Sequence, residues 1–439
     1  MPRTKVLLAA ALPVILSGFH SAKAQQDLAK ENTELRQRVE NLEEQVQKLA
    51  KTTPPAPKDA ANKKPMWSQL DVQFYGYIKA DSSYDTSRTY PGNYVLWAES
   101  EATNKNDNEF NLTANETRLG MMLKGPENPH LQTTGRVEFD FYGDSAITGA
   151  NKAKIQMRHA YLQLTWPDDR FSILAGQTSD VFSPLAPPTL NYTVLWDAGN
   201  IGYRRPQIRL TKNISLDKDI GLELQGALAR TIGRDVAVPG VTSESGEDAG
   251  FPCFQARAAL TFPSLSDKPT TLGLSGHFAV EEYDTATNGT NKHFESWSLN
   301  LDLTQPVNGW FSLKGELFAG KNLETYFGGI GQGVRPVKDP NGVIINHANE
   351  IAAAGGWIAA SLGPWDKWRF NFGAGIDDVD SEDVNAGART LNNCIFGNSV
   401  YSFNQHAEVG LELSHWRTDY LGPGDADSLR AQLSLTYRF

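Results

Sequence analysis

The chain has 439 residues with a formal net charge of −10, two cysteines and eight histidines. That acidity argues against a nucleic-acid partner, and two cysteines are too few for a disulfide framework. Abundant glycine and aromatic residues together with a negative mean hydropathy suit a wall that averages one apolar face with one polar face.

Arg3 and Lys5 precede an apolar run over residues 6–16, and Ala22-Lys23-Ala24 supplies the small residues of a signal-peptidase site. Residues 1–24 are therefore expected to be a signal peptide, with the mature chain starting at Gln25. The run is too short for a membrane-spanning helix, and no later stretch approaches the roughly 18 to 20 apolar residues that one needs. Any membrane span must be built from strands.

Residues 25–50 form a separate module. Leu28, Leu35, Leu42 and Leu49 recur every seven residues, with Asn32, Val39 and Val46 four residues after the first three. This is the a and d pattern of a parallel α-helical coiled coil; under four heptads, it would be marginal alone, and the alternative is a solvated single helix. The Pro-, Lys- and Ala-rich residues 51–66 read as an extended linker.

From residue 67 onward, sixteen segments alternate apolar and polar residues: 70–79, 112–124, 131–141, 156–166, 171–177, 203–211, 222–230, 254–262, 271–280, 294–303, 311–320, 357–362, 368–376, 395–403, 407–416 and 428–439. Their connections alternate long and short, as 80–111, 125–130, 142–155 and 167–170 illustrate. Long surface loops, short periplasmic turns and both termini on the periplasmic side are the plan of a bacterial barrel, which demands an even strand count. The expected fold is all-β: a 16-stranded antiparallel transmembrane β-barrel occupying residues 67–439, in the bacterial outer membrane with the coiled coil in the periplasm. Trp166, Trp310, Trp365 and Trp368 lie beside short turns, where an inner aromatic belt belongs. Cys253 and Cys394 either pair across two surface loops or stay single.

The last strand is the clearest. Leu429, Ala431, Leu433, Leu435, Tyr437 and Phe439 share one face, and Arg430, Gln432, Ser434, Thr436 and Arg438 the other. So apolar an edge would aggregate in water and should close a barrel against lipid. Tyr437 and the terminal Phe439 also resemble the signal read by the bacterial barrel-assembly machinery.

The third long connection, near residues 177–202, is unusually apolar and aromatic, with Phe182, Leu185, Tyr192, Leu195 and Trp196, so it should pack inside the barrel. It runs into Ile201-Gly202-Tyr203-Arg204-Arg205-Pro206-Gln207. This block, with Arg158-His159-Ala160-Tyr161 before it and the heptad leader upstream, resembles the DcaP-like family of trimeric outer-membrane porins over essentially the whole mature chain. The resemblance implies a homotrimer, a third loop that narrows the pore, and uptake of small anions such as dicarboxylic and aromatic acids.

Arg118, Arg136, Arg205 and Arg209 have lumen parity, and Arg158 lies close by with its direction open. Clustered guanidinium groups draw in carboxylates and bind them bidentately. Glu116, Glu138 and Asp140 share that parity, so the alternative is a self-neutralising ladder of salt bridges. In the loop, Tyr192 is assigned to the pore lining, while Asp180 and Asp197 either face the arginines or cap local turns. Arg205 and Arg209 are expected to oppose the loop at the narrowest point.

Enzymatic motifs fail. Gly143-Asp144-Ser145 has no supporting histidine, Gly320-Lys321 is followed by Asn322 where a P-loop needs Ser or Thr, and the acidic residues 377–383 read as a solvated loop. No catalytic residue, cofactor or metal is expected. The expected function is an outer-membrane diffusion channel for small organic anions, with the lipid bilayer, two further copies, the assembly machinery and the solutes as partners. The alternative is a structural tether or surface receptor linking the outer membrane to the cell wall.

Overall fold

The computed structural model describes residues 33, 36–41, 44, 70–104, 107–143, 153–233, 247–283 and 291–439. The chain divides into two units, Met1–Ser68 and Gln69–Phe439. In the first, residues 33, 36–41 and 44 are helical and Val39 is exposed. The signal peptide, the linker and the expected core positions Leu28, Leu35, Leu42, Val46 and Leu49 lie outside the described residues.

The second unit is a closed antiparallel barrel of sixteen strands. In chain order they are β1 (Asp71–Asp85), β2 (Glu109–Thr113 and Arg118–Lys124), β3 (Gln132–Asp140), β4 (Gln156–Trp166), β5 (Phe171–Ser179), β6 (Arg204–Ser215), β7 (Gly221–Ala229) and β8 (Cys253–Phe262). The second half comprises β9 (Thr270–Tyr283), β10 (Lys292–Pro306), β11 (Phe311–Lys321), β12 (Ala352–Trp365), β13 (Trp368–Val379), β14 (Arg389–Ser402), β15 (Ala407–Tyr420) and β16 (Ala426–Arg438). Each strand pairs with its sequence neighbours, and β1 closes the ring on β16 from Tyr77↔Arg438 to Asp85↔Arg430. Closure removes the free edges that would otherwise recruit other chains.

Strand β2 is one strand with a bulge. Its two pieces face residues 81–85 and 71–77 of β1, so the four residues 114–117 oppose only the three residues 78–80. The extra residue bends the strand and turns Glu116 inward onto Lys79 and the Tyr77 hydroxyl.

Period-2 alternation places the faces. Along β16, Leu429, Leu433, Leu435 and Tyr437 are exposed, whereas Ser428, Arg430, Gln432, Ser434 and Thr436 are buried. In β10, Trp297, Leu299, Leu301 and Leu303 point out and Ser296, Ser298, Asn300 and Asp302 point in. Here the apolar side is outside and the polar side inside, as lipid around the wall requires. Trp310, Trp365 and Trp368 are exposed beside the short turns, with Trp310 and Trp365 rings 5.6 Å apart.

Three features differ from the sequence expectation. Several strands run further toward the long loops: β12 starts at Ala352 and β14 at Arg389, because above the lipid band the outward positions no longer need apolar residues. Cys253 and Cys394 lie buried within strands rather than in surface loops, and both are free, which is the second of the two alternatives left open. The first long loop carries a hairpin, Thr89–Pro91 with Val95–Ala98, whose Val95 and Ala98 are fully buried.

Candidate functional site

Residues 180–203, the loop between β5 and β6, cross the barrel interior. Asp180 holds both ends of the loop together: its carboxylate forms an ion pair with Arg205 Nε at 2.8 Å and accepts hydrogen bonds from Gln255 Nε2 at 2.7 Å and from the Tyr203 amide at 2.9 Å. The far wall then takes the loop backbone. Glu316 of β11 accepts the Leu185 amide at 2.8 Å, Glu412 of β15 accepts the Leu190 amide at 2.6 Å, and Asn398 of β14 donates to Pro188 O at 2.8 Å. A crossing segment lies outside the strand ladder, so its amides and carbonyls are satisfied partly by these buried side chains and partly by its own turns, as in Trp196 N to Thr193 O at 2.9 Å, and by the next loop, as in Asp197 N to Phe327 O at 2.9 Å.

Glycine lets the loop lie flat on the wall. A methyl group at Gly375 of β13 would stand 2.2 Å from the Ala198 carbonyl oxygen, and one at Gly199, whose φ is +114°, would stand 2.2 Å from the Gly356 oxygen. Val194 and Leu195 occupy the left-handed region at φ 48° and 62°, a strained backbone for such side chains, which burial of Leu195 holds in place.

Two more loops meet it. The first-loop hairpin is fixed by Asn191, whose amide bonds Val95 N and O at 3.2 and 3.1 Å, and by Asn392, which donates to Leu96 O and to Asp197 O at 2.7 Å each. The β11–β12 loop supplies the Gly331 amide to Asp197 Oδ1 at 2.9 Å and stacks Phe327 on Trp196 with ring centroids 4.4 Å apart.

Between the loop and the β1–β4 wall lies a cavity of about 330 Å³ lined in part by Tyr77, Glu116, Arg118, Arg158, Tyr192 and Arg204. Its electrostatics are uneven. Glu138 carries Arg158 Nε at 2.9 Å, Arg136 at 2.5 Å and Arg118 more loosely at 3.7 Å, and Asp140 carries Arg158 Nη1 at 2.7 Å. Those bonds are the self-neutralising ladder. Arg204 stands apart from it: the side chain is buried against Tyr203 and Trp196, 4.3 and 5.8 Å from their ring centroids, and its Nε and Nη2 have no hydrogen-bond partner among the described residues. Three guanidinium groups, those of Arg118, Arg136 and Arg158, thus share two carboxylates, and the Arg118 Nε contact to Glu138 is too long for a hydrogen bond.

The remaining sequence candidates fall differently. Arg136 is bound to Tyr75 and Glu138 and does not line the cavity. Arg205 is corrected from lining to anchor: it is 1% exposed, paired with Asp180 and stacked 3.9 Å over Tyr326. Arg209 bonds Gln207 Oε1 and Ser179 O and is likewise occupied away from the cavity. Asp180 lines the cavity but is fully paired; Asp197 is buried between loops and lines a second cavity instead. Parity passed over Arg204 because it opens β6, where alternation is not yet established and both Arg204 and Arg205 are buried. Its aromatic flanks, Trp196 and Tyr203, were the legible signal.

No family model matches the chain, and no curated protein matches it in sequence. Solved structures do. The outer membrane channel DcaP of Acinetobacter baumannii superposes with a TM-score of 0.64 at 19% identity, covering 85% of this chain and 98% of that one. Salmonella typhi OmpF gives 0.51 at 12% identity over 86% and 100%, and an anion-selective porin from Comamonas acidovorans gives 0.50 at 13% identity over 84% and 100%. The chain therefore has the fold of the outer-membrane porins, DcaP among them.

Proposed function

We propose that this chain is a DcaP-like porin: a homotrimeric outer-membrane diffusion channel that passes small organic anions, dicarboxylic or aromatic acids among them. The observation that carries this reading is the Arg204 guanidinium, buried at the loop with two nitrogens unpartnered beside Arg118 and Arg158. Among the described residues such a group asks for an anion, since an unpaired buried charge is costly. Attraction between a passing carboxylate and a partly desolvated guanidinium is on the order of a few kcal/mol at an effective dielectric of about 20, enough to favour anions over cations. The anion-selective porin of the same fold and the DcaP channel support the assignment.

The test is single-channel recording in planar bilayers under a salt gradient. Steady current with an anion-selective reversal potential is expected, and Arg204→Gln should shift it toward cations, less so as salt rises. A wild-type channel selective for cations, or a reversal potential that Arg204→Gln leaves untouched, would sink the site assignment. Absence of current would favour the tether, because three loops fill the lumen.

A further inference from the structure

A second cavity of about 320 Å³ lies against the first, lined by Tyr90, Tyr94, Trp97 and Tyr142 on one side and by Tyr192, Trp196 and Tyr203 on the other. The last three rings line both cavities and so form the partition between them. Apolar packing holds part of this partition: Tyr192 lies 4.2 Å from Tyr142 and 5.9 Å from Trp196, and Trp196 lies 5.3 Å from Tyr203. The polar edge depends on one residue. Gln156, the first residue of β4, lines only the second cavity; its Oε1 is 3.1 Å from the Tyr192 hydroxyl, and its Nε2 donates to the Tyr203 hydroxyl. The single Tyr192 hydroxyl proton is shared between Gln156 Oε1 and Asp140 Oδ2, which lies equally near at 3.1 Å and is held by Arg158.

Gln156 thus ties a residue of mid-loop to the residue that ends the loop, through a single amide that offers one acceptor and one donor. We propose that Gln156 is the latch of this partition, its two hydrogen bonds keeping Tyr192 and Tyr203 together so that a solute moves from one cavity to the other only when they part. The inference rests on the channel reading and adds to it a positioning residue outside the arginine wall. Gln156 does not touch the arginine cavity, so its loss should change how long the path stays open and leave charge selection alone.

Single-channel dwell times test this on the full-length trimer. Gln156→Met keeps the chain length and removes both bonds; Tyr203→Phe keeps the ring and removes one. A lost hydrogen bond of ordinary net strength should lengthen open dwell times roughly fivefold. The double variant should add nothing beyond Gln156→Met, since both changes break one bond, whereas independent packing defects would add. Heat-modifiable migration on gels confirms folding of each variant, and Tyr203→Phe stands in if Gln156→Met does not fold. Wild-type dwell times in folded variants, additive effects, or a reversal potential shifted by Gln156→Met would overturn the latch while leaving the channel reading intact. No current from wild type and variants alike would overturn both.

Discussion

Arg204 and Arg205 are neighbours in sequence with opposite surroundings. Arg205 has its carboxylate at 2.8 Å, carbonyl contacts to Arg230 and Thr325, and an aromatic ring beneath it. Removing it would strand Asp180 as a buried charge, with only Gln255 and the Tyr203 amide as compensation. Arg205→Ala should therefore destabilise the barrel by about 3–5 kcal/mol and leave the reversal potential near wild type. Urea unfolding followed by gel migration, set beside bilayer recordings, checks both; a large selectivity shift without loss of stability would return Arg205 to the pore. Parity made an inward direction legible for Arg118, Arg136 and Arg205. It could not tell a satisfied guanidinium from an unsatisfied one, because the partners come from other strands and loops, as with Arg158 on Glu138 and Asp140, twenty and eighteen residues away.

The strands were legible as elements because all but the bulged β2 run over nine to fifteen residues and because two-sided walls punish a slip of register. The inward hairpin at Thr89–Ala98 was not, since its two tyrosines and Pro91-Gly92 read equally well as surface turn or lumen packing. Two predictions belong here. Gly375 is one of the points where the crossing loop touches the wall, and any side chain there collides with the Ala198 carbonyl. Gly375→Val should lift the loop and raise single-channel conductance with the barrel still formed; unchanged conductance in a folded variant would show that the loop does not limit the path. The second concerns the outer hairpin Val334–Lys338 and Ile344–Glu350. His347 is buried edge-on to Tyr283 at 4.8 Å with neither ring nitrogen bonded among the described residues, and burial, then the nearby Lys292 charge, pushes its pKa down. A depressed histidine contributes stability above its unfolded value of about 6.5 that is lost as pH falls through the folded value. Protection of the hairpin amides from hydrogen exchange, corrected for intrinsic rates, should fall on acidification from neutral pH. His347→Phe should abolish that fall; an equal fall in the variant would assign it elsewhere.

At the scale of the whole molecule, closure joins the two ends of the barrel. The Phe439 amide donates to Gly76 O and Gly76 N to Phe439 O, both at 3.2 Å, so the last residue extends the seam between β16 and β1. Its side chain is 50% exposed on the lipid-facing side, away from the arginine cavity. Two effects of deleting it can therefore be separated by size. Two terminal backbone bonds are together worth roughly 1–3 kcal/mol net, which a closed sixteen-stranded ring should survive. A recognition signal for the assembly machinery would be lost altogether. Deleting Phe439 should accordingly lower the amount of folded protein in the outer membrane far more than it lowers resistance to unfolding, while conductance and reversal potential of the assembled fraction stay at wild-type values. Equal assembly with and without Phe439 would reduce its role to the seam, and a changed conductance would mean that the seam shapes the lumen.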